Sequence, residues 1–245
     1  MLVVFASPLF YLFLTLAIYV LFQFLSKKFK TQLLNPLLWT AIFMIAYIII
    51  IVLIDKHALS FEYLSEELKN YERGTYVLDL LLAPVTVCLA LPVYINRKVI
   101  KENWVAIIVA TVVGVASSMG TVALFSYFFG LGKEITYALL PKGVTTAIAK
   151  EISSILGVSN YVSITVTAVV ITGILGSMLG PVLIKLFKGK DAHEVYGLAL
   201  GSSSHSIGTS KAIDLNEKAG AIASVAIVTN GLLAVVTSLI ISLIR

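Results

Sequence analysis

Three short segments of this chain place a helix-breaking residue beside small residues and hydroxyl groups. They are 83–87 (APVTV), 141–147 (PKGVTTA) and 201–210 (GSSSHSIGTS). A broken helix exposes free N–H groups at the start of the next helix, and these groups attract anions together with the helix dipole. Hydroxyl groups at the same turn add neutral hydrogen-bond donors. The three segments therefore predict a site that binds a small carboxylate and releases it again.

Each candidate residue in the first two segments also has a purely structural explanation. Thr86 can donate to a carbonyl of its own helix, as threonines in membrane helices often do. Thr145 and Thr146 can cap a short helix, and Lys142 can extend its ammonium group to the membrane surface. We favour binding for the two adjacent threonines, because they follow the Pro-Lys-Gly break. Both explanations stay open for Thr86 and Lys142.

The third segment adds a histidine to the hydroxyl groups. His205 stands between two glycine breaks, where a flexible loop has no need of it, and its ring is suited to proton coupling. Asn35 fits a helix start because Pro36 follows it, and a binding role is the alternative. Asn230, inside the last apolar run, needs a hydrogen-bond partner in lipid, and helix packing is the favoured use. The candidate substrate-binding residues are Asn35, Thr86, Lys142, Thr145, Thr146, Ser204, His205 and Thr209.

The composition excludes most classes of soluble protein. Of 245 residues, 59% are hydrophobic and 13% are charged, whereas soluble domains carry about 25% charged residues. The net charge of +5 comes from basic clusters between apolar runs, which indicate membrane topology and not nucleic-acid binding. One cysteine and three scattered histidines predict no metal site, and the sequence contains no Walker loop or His-Glu-x-x-His helix. We expect a membrane protein that is not an enzyme and binds no cofactor or nucleic acid.

Five apolar segments are long enough to cross a bilayer, which takes about 20 helical residues. They are 3–25, 36–54, 104–130, 160–188 and 217–244. Segment 76–95 is predicted as a sixth span, although an aspartate and two prolines interrupt it. The depth of 136–157 and 194–212 stays open, because both are polar for a span. We predict an all-α polytopic membrane protein with one transmembrane domain, 1–245. It has six to eight membrane segments, some of them broken or re-entrant.

The distribution of charge predicts the orientation of these segments, because basic clusters mark the cytoplasmic side. Such clusters lie at 27–30, 97–101 and 185–190. The longest loop, 55–75, is acidic, so we place it outside together with the N-terminus. Apolar residues recur at helical spacing from Phe61 to Tyr71, which predicts an amphipathic helix on the outer surface. The same orientation requires 136–157 to enter from outside and return.

The sequence also contains a weak internal repeat. Thr86 aligns with Thr145, and Gly114 with Gly173, at the same shift of 59 residues. The predicted repeat units are 76–134 and 135–193. Transporters often carry such repeats, with the substrate site at the interface between them. Whether the copies are inverted stays open, because inversion conflicts with an acidic loop on the outside.

These motifs together resemble the LrgB/CidB family of bacterial membrane proteins, also seen in the C-terminal half of the plastidial glycolate/glycerate translocator. The resemblance rests on residues 35–38 (NPLL), 82–87 with Ala90, Pro92 and Tyr94, 141–149, Gly180-Pro181, 197–201 and 204–209. It covers nearly the whole chain. The family commonly has glycine in place of Ala83, serine in place of Gly143 and proline in place of Ala147.

The resemblance implies one of two functions, each with a smaller LrgA-type membrane protein as partner. One is antiholin-like control of murein hydrolase export and autolysis. The other is transport of small carboxylates such as pyruvate, glycolate or glycerate. The residues favour the carrier, because a holin that self-associates into lesions needs no paired helix breaks with hydroxyl groups. A pore-forming or pore-regulating protein is the alternative.

We therefore expect a carrier that works by alternating access in the bacterial cytoplasmic membrane. Its site should lie near mid-membrane, where 83–87, 142–147 and 202–209 converge. A homodimer is a further expectation, because several glycines permit close packing of helices within or between protomers. These are Gly114, Gly120, Gly173, Gly176 and Gly180.

Overall fold

The computed structural model describes residues 6–29, 34–56, 59–81, 84, 87–88, 90–95, 97–184 and 192–244. Within these residues every regular element is helical, which confirms the all-α prediction for this part of the chain. The α-helices are α1 Pro8–Phe29, α2 Pro36–Lys56, α3 Phe61–Leu80, α4 Ala90–Ile95, α5 Arg97–Phe128, α6 Lys133–Leu139, α7 Thr146–Ile155, α8 Val162–Ile184, α9 Ala192–Leu215 and α10 Glu217–Ile244. Two short 3₁₀ helices, Leu140–Gly143 and Ser159–Tyr161, follow α6 and precede α8.

Five stretches of helix are long and apolar enough to cross a membrane. They are Pro8–Phe29, Pro36–Asp55, Ile100–Phe128, Ser159–Leu183 and Glu217–Ile244. They coincide with the five spans predicted first, and most of their residues are not buried inside the protein. An apolar exposed surface of this kind is stable in lipid and not in water. The protein is therefore a membrane protein with several spanning helices.

The segment predicted as a sixth span, 76–95, is not a single helix. Residues 76–80 are the last turns of α3, and residues 90–95 form the separate helix α4. The C-cap of α3 is Leu81, and Pro84 follows three residues later. Helices usually end at or before the residue that precedes a proline.

By its contacts the chain divides into two compact units, Met1–Cys88 and Leu89–Arg245. In the first unit, α1, α2 and α3 pack against one another. The predicted amphipathic helix is present as α3, where Leu64 and Tyr71 pack against the buried cluster of Tyr11, Met44 and Ile48. The hydroxyl of Tyr11 donates to the Glu67 carboxylate at 2.6 Å. The predictions of a single transmembrane domain and of its repeat units stay predictions.

In the second unit, the long helices α5, α8 and α10 surround two segments that turn back on themselves. The first is residues 133–155, which we call the first hairpin. Pro141 has non-helical angles (φ −83°, ψ 17°) and separates α6 from α7. Thr165 of α8 donates to the Ala138 carbonyl at 2.8 Å and bonds to the Ser153 hydroxyl at 2.9 Å. Both arms therefore lie beside the N-terminal turns of α8, and the chain reverses between them.

The second hairpin is α9 itself, which is broken at Ser204 (φ −129°, ψ 16°) and His205 (φ 43°, ψ −135°). Residues eight apart in a straight helix are about 12 Å apart. Here a Cβ on Gly208 would fall against the Leu200 carbonyl, 3.0 Å from its carbon. The two halves of α9 therefore fold back on each other.

The two hairpins enter the second unit from opposite ends of α10. The Ser242 hydroxyl, near the C-terminus of α10, donates to the Ile155 carbonyl of the first hairpin at 3.2 Å. Gly197 of the second hairpin instead packs against Ile222, near the N-terminus of α10, where a Cβ added to Gly197 would lie only 2.9 Å from the Ile222 Cβ. The hairpins therefore point toward each other along α10.

Candidate functional site

The tips of the two hairpins meet at one side chain. We call residues 141–146 the first tip and residues 202–205 the second tip. The Asn230 amide nitrogen donates to the Gly143 carbonyl at 2.9 Å and to the Ser202 carbonyl at 3.0 Å. Asn230 lies at the middle of α10, about 20 Å from either end at 1.5 Å per residue. One buried amide thus joins both breaks at the centre of a spanning helix.

The middle of α5 completes this junction. Lys142 Nζ donates to the Ser118 hydroxyl at 3.2 Å, and Gly114, one turn earlier on α5, lies beside Ser202. Lys142 is half-buried, and no carboxylate among the described residues pairs with it. An ammonium group without a counter-charge at this depth is costly in a membrane. The first tip therefore holds a positive charge that a small anion could neutralise.

The start of α7 faces the same break. Thr145 is its N-cap, with extended angles, and the Thr145 hydroxyl accepts the Ile148 N–H at 3.4 Å. Thr146 is the first residue of the helix and is half-buried. The first N–H groups of a helix have no partner within it, and they carry the positive end of the dipole. The helix start and Lys142 thus provide an anion-attracting turn next to Gly143.

The second tip is packed tightly against α8. Ser204, His205 and Thr209 are each at most 2% exposed. The His205 Nε2 lies 2.9 Å from the Val169 carbonyl oxygen, and the Thr209 hydroxyl donates to the His205 carbonyl at 2.8 Å. Nε2 must carry a proton to make the first bond, so the ring donates there. Burial and these hydrogen bonds hold the backbone at the break in one conformation.

Two glycines of α8 make room for the second tip. A Cβ at Gly173 would lie 2.6 Å from the His205 Nε2, and a Cβ at Gly176 would lie 2.7 Å from the Ser204 Cβ. Gly180 faces Leu200 in the same way. Three of the glycines expected to permit close packing therefore serve contacts within one protomer. The homodimer stays a prediction.

The structure brings together some of the predicted residues and separates others. Lys142, Thr145 and Thr146 lie at the first tip, while the residues from Ser204 to Thr209 belong to the second hairpin. Asn35 lies in the other unit, where its carboxamide oxygen accepts the N–H groups of Leu37 and Leu38 at 3.0 and 3.2 Å as the cap of α2. Thr86 lies outside the described residues, so the predicted convergence of 83–87 with the other segments stays a prediction.

Two residues of the junction, Ser118 and Asn230, are absent from the site predicted from the sequence. Asn230 is interpreted there as a packing residue, and its position in the middle of an apolar run is the available signal. Ser118 aligns with Ser177 in the internal repeat, which is its only signal. Among the described residues, no group of three His, Cys, Asp or Glu side chains is placed to hold a metal ion.

These features define a class of protein, namely a polytopic helical membrane protein with two opposed hairpins that meet at a polar junction. The sequence model of the LrgB-like family matches residues 15–244. The chain belongs to this family, which confirms the resemblance seen in the sequence motifs.

Several relatives match along most of their length. The chain is 33% identical over 230 residues to the "Holin-like protein CidB" of Staphylococcus epidermidis, covering 93% of this chain and 91% of the relative. It is 30% identical over 237 residues to the protein of the same name in Staphylococcus aureus, covering 97% and 95%. It is 34% identical over 212 residues to the "Uncharacterized protein YxaC" of Bacillus subtilis, covering 86% and 85%. No solved structure matches the chain.

Proposed function

We propose that this protein is a carrier for small carboxylates that works by alternating access in the bacterial cytoplasmic membrane. The observation that carries the proposal is the junction of two hairpin tips, with Lys142 beside it and no carboxylate partner for Lys142 among the described residues. Broken helices that meet at the middle of a bundle are typical of transporters, because their exposed backbone groups bind substrate there.

The charge at the first tip supports an anionic substrate. Lys142 provides one full charge, and the start of α7 adds the partial charge of a helix N-terminus, about half an elementary charge. A monocarboxylate would neutralise Lys142 without adding a large excess of negative charge. The Ser118 hydroxyl, now bonded to Lys142, can rotate to donate to a substrate oxygen. These groups are sufficient to hold a small acid, which does not need to be enclosed by the protein as a large ligand does.

The opposed hairpins support alternating access. Under the predicted orientation, the first hairpin enters from outside and the second from inside, so each hairpin lies between the junction and one face of the membrane. Loosening either tip would open the junction to one side while the other tip stays closed. We further propose an LrgA-type small membrane protein as the partner, which rests on the family.

A second candidate is a pore, or a regulator of a pore. The names of the staphylococcal relatives, which call them holin-like, favour it. The two functions differ in one measurable property, because a carrier saturates with one class of solute and a pore does not.

The test is uptake of labelled pyruvate and glycolate into liposomes that contain the purified protein, with and without its small partner. We expect saturable uptake, and a KM at least tenfold higher for Lys142→Gln, since glutamine keeps a donor and loses the charge. Tenfold corresponds to about 1.4 kcal/mol of binding. Lys150→Gln is the matched control, because Lys150 is an exposed lysine of the same hairpin, and its KM should not change.

Uptake that never saturates, admits unrelated solutes equally and ignores Lys142→Gln would refute the carrier and leave the pore. Size-exclusion profiles in detergent establish that both lysine variants are folded before uptake is compared.

A further inference from the structure

The glycines around the two tips fall into two groups. Gly173, Gly176, Gly201 and Gly208 have no room for a Cβ, because a backbone or side-chain atom would lie within 3.0 Å of it. At these positions the close approach of two helices explains why the residue is glycine. The remaining two, Gly114 and Gly143, need another explanation.

Gly143 is buried and yet has space for a side chain. A Cβ there would lie 3.5 Å from the Ser118 hydroxyl oxygen and 3.8 Å from the Ser202 carbonyl oxygen, which is ordinary van der Waals contact. Its φ is not positive, since the only positive-φ glycines among the described residues are Gly130 and Gly157. Neither backbone conformation nor close packing therefore requires glycine at this position.

Gly114 borders the same space from α5. A Cβ there would lie 3.7 Å from both the Cβ and the hydroxyl oxygen of Ser202. Gly114 and Ser118 are four residues apart, so they lie on one face of α5. The Lys142 ammonium reaches Ser118 from the first tip. The two glycines thus leave a small gap beside the Lys142 ammonium group, with which no carboxylate among the described residues pairs.

From this geometry we infer that Gly143 and Gly114 are specificity-determining residues, whose missing side chains make room for the carbon chain of a short monocarboxylate bound at Lys142. The inference rests on the proposed carrier function and adds the feature that sets substrate size. The carboxylate lies at the ammonium group and the start of α7, and the chain of the acid extends toward Ser202 between the two glycines.

A methyl group on either glycine then shortens the acid that fits. One methylene more or less in such a pocket changes selectivity by about 10- to 200-fold. The probes are pyruvate and 2-oxobutyrate, which carry the same 2-oxo acid group and differ by one methylene. For Gly143→Ala we expect the ratio of 2-oxobutyrate to pyruvate kcat/KM to fall tenfold or more. Gly114→Ala should lower the same ratio by a smaller factor, because its Cβ is farther from Ser118.

The control is Gly120→Ala, a glycine on an exposed face of α5 with no atom within 4 Å of an added Cβ. Its ratio should equal that of the wild type. Thermal unfolding in detergent is measured for all three variants, and the ratio is compared only within one protein, so a loss of folded protein does not change it.

A ratio that stays within twofold of the wild type in both Gly143→Ala and Gly114→Ala would overturn the inference. Equal loss of both acids in Gly143→Ala would overturn it as well, since the position would then support the tip and not select the substrate. Failure of the proposed function has a different signature, because the wild type itself would then show no saturable uptake of pyruvate.

Discussion

The two hairpin tips are built from similar residues but in opposite ways. The first tip begins with proline, has ordinary backbone angles apart from Pro141, and leaves space around Gly143. The second tip places a non-glycine residue, His205, at a φ of 43°, and its Ser204 and His205 leave no space at Gly176 and Gly173 of α8. One tip carries the Lys142 cation and leaves space at Gly143, while the other is packed against α8 and strained at His205.

This difference separates binding from positioning. A substrate needs space, a charge and hydrogen-bond donors, and the first tip offers the space at Gly143, the charge of Lys142 and the N–H groups at the start of α7. In the second tip, the hydroxyls of Ser202 and Ser203 and the ring of His205 are bonded to backbone carbonyls, and the Ser204 hydroxyl is bonded to that of Ser203. Strained backbone persists only where surrounding contacts hold it, so α8 must clamp the second tip. The second tip is thus suited to forming one wall of the site and to opening as a unit.

The largest effect that would sharpen this contrast is expected at Gly176, where α8 clamps the second tip. Gly176→Ala places a methyl group 2.7 Å from the Ser204 Cβ, in a contact with no room to relax. We expect a loss of about 3 kcal/mol of stability, at the upper end of the usual range for overpacking. The measurement is thermal unfolding in detergent. Gly120→Ala, on an exposed face, should be neutral or slightly stabilising, and equal stability of the two variants would break the contrast.

A smaller effect is expected at Asn230, which joins the tips. Asn230→Ala removes two hydrogen bonds and leaves the carbonyl groups of Gly143 and Ser202 without this donor. We expect a cost of about 2 kcal/mol and a lower kcat, because the tips lose their common anchor. Asn160→Ala, an exposed asparagine near the start of α8, is the control. If Asn230→Ala kept both stability and kcat, the two tips would not be coupled through this side chain.

Hydropathy alone predicts the five spans, because a bilayer demands about 20 apolar residues wherever a helix crosses it. The break at Pro141 is equally predictable, since proline interrupts a helix locally. The reversal of α9 cannot be predicted in this way, because no local rule places a histidine at positive φ. It depends on contacts with Gly173 and Gly176, which belong to another helix.

The role of Asn230 is hidden from the sequence for a related reason. Its partners Gly143 and Ser202 lie 87 and 28 residues away in the sequence, and no periodicity records such pairs. The repeat stays a prediction, although its aligned glycines Gly114 and Gly173 both lie against the second tip. The sequence identifies the breaks at both tips, and only the fold shows that space remains beside Gly143 and that none remains at Gly173 and Gly176.

The smallest effect concerns the strain at His205. His205→Ala removes the ring and its bond to the Val169 carbonyl but keeps the unfavourable φ, whereas His205→Gly removes the ring and also the strain. Because strained positions cost on the order of 1–3 kcal/mol, and glycine loses about 1 kcal/mol more chain entropy on folding, we expect the glycine variant to be more stable than the alanine variant by about 1 kcal/mol. Chemical denaturation of the two purified variants in the same detergent measures that difference. If the alanine variant were as stable as the glycine variant, or more stable, the backbone at 205 would not be strained. The second tip would then differ from the first in packing alone.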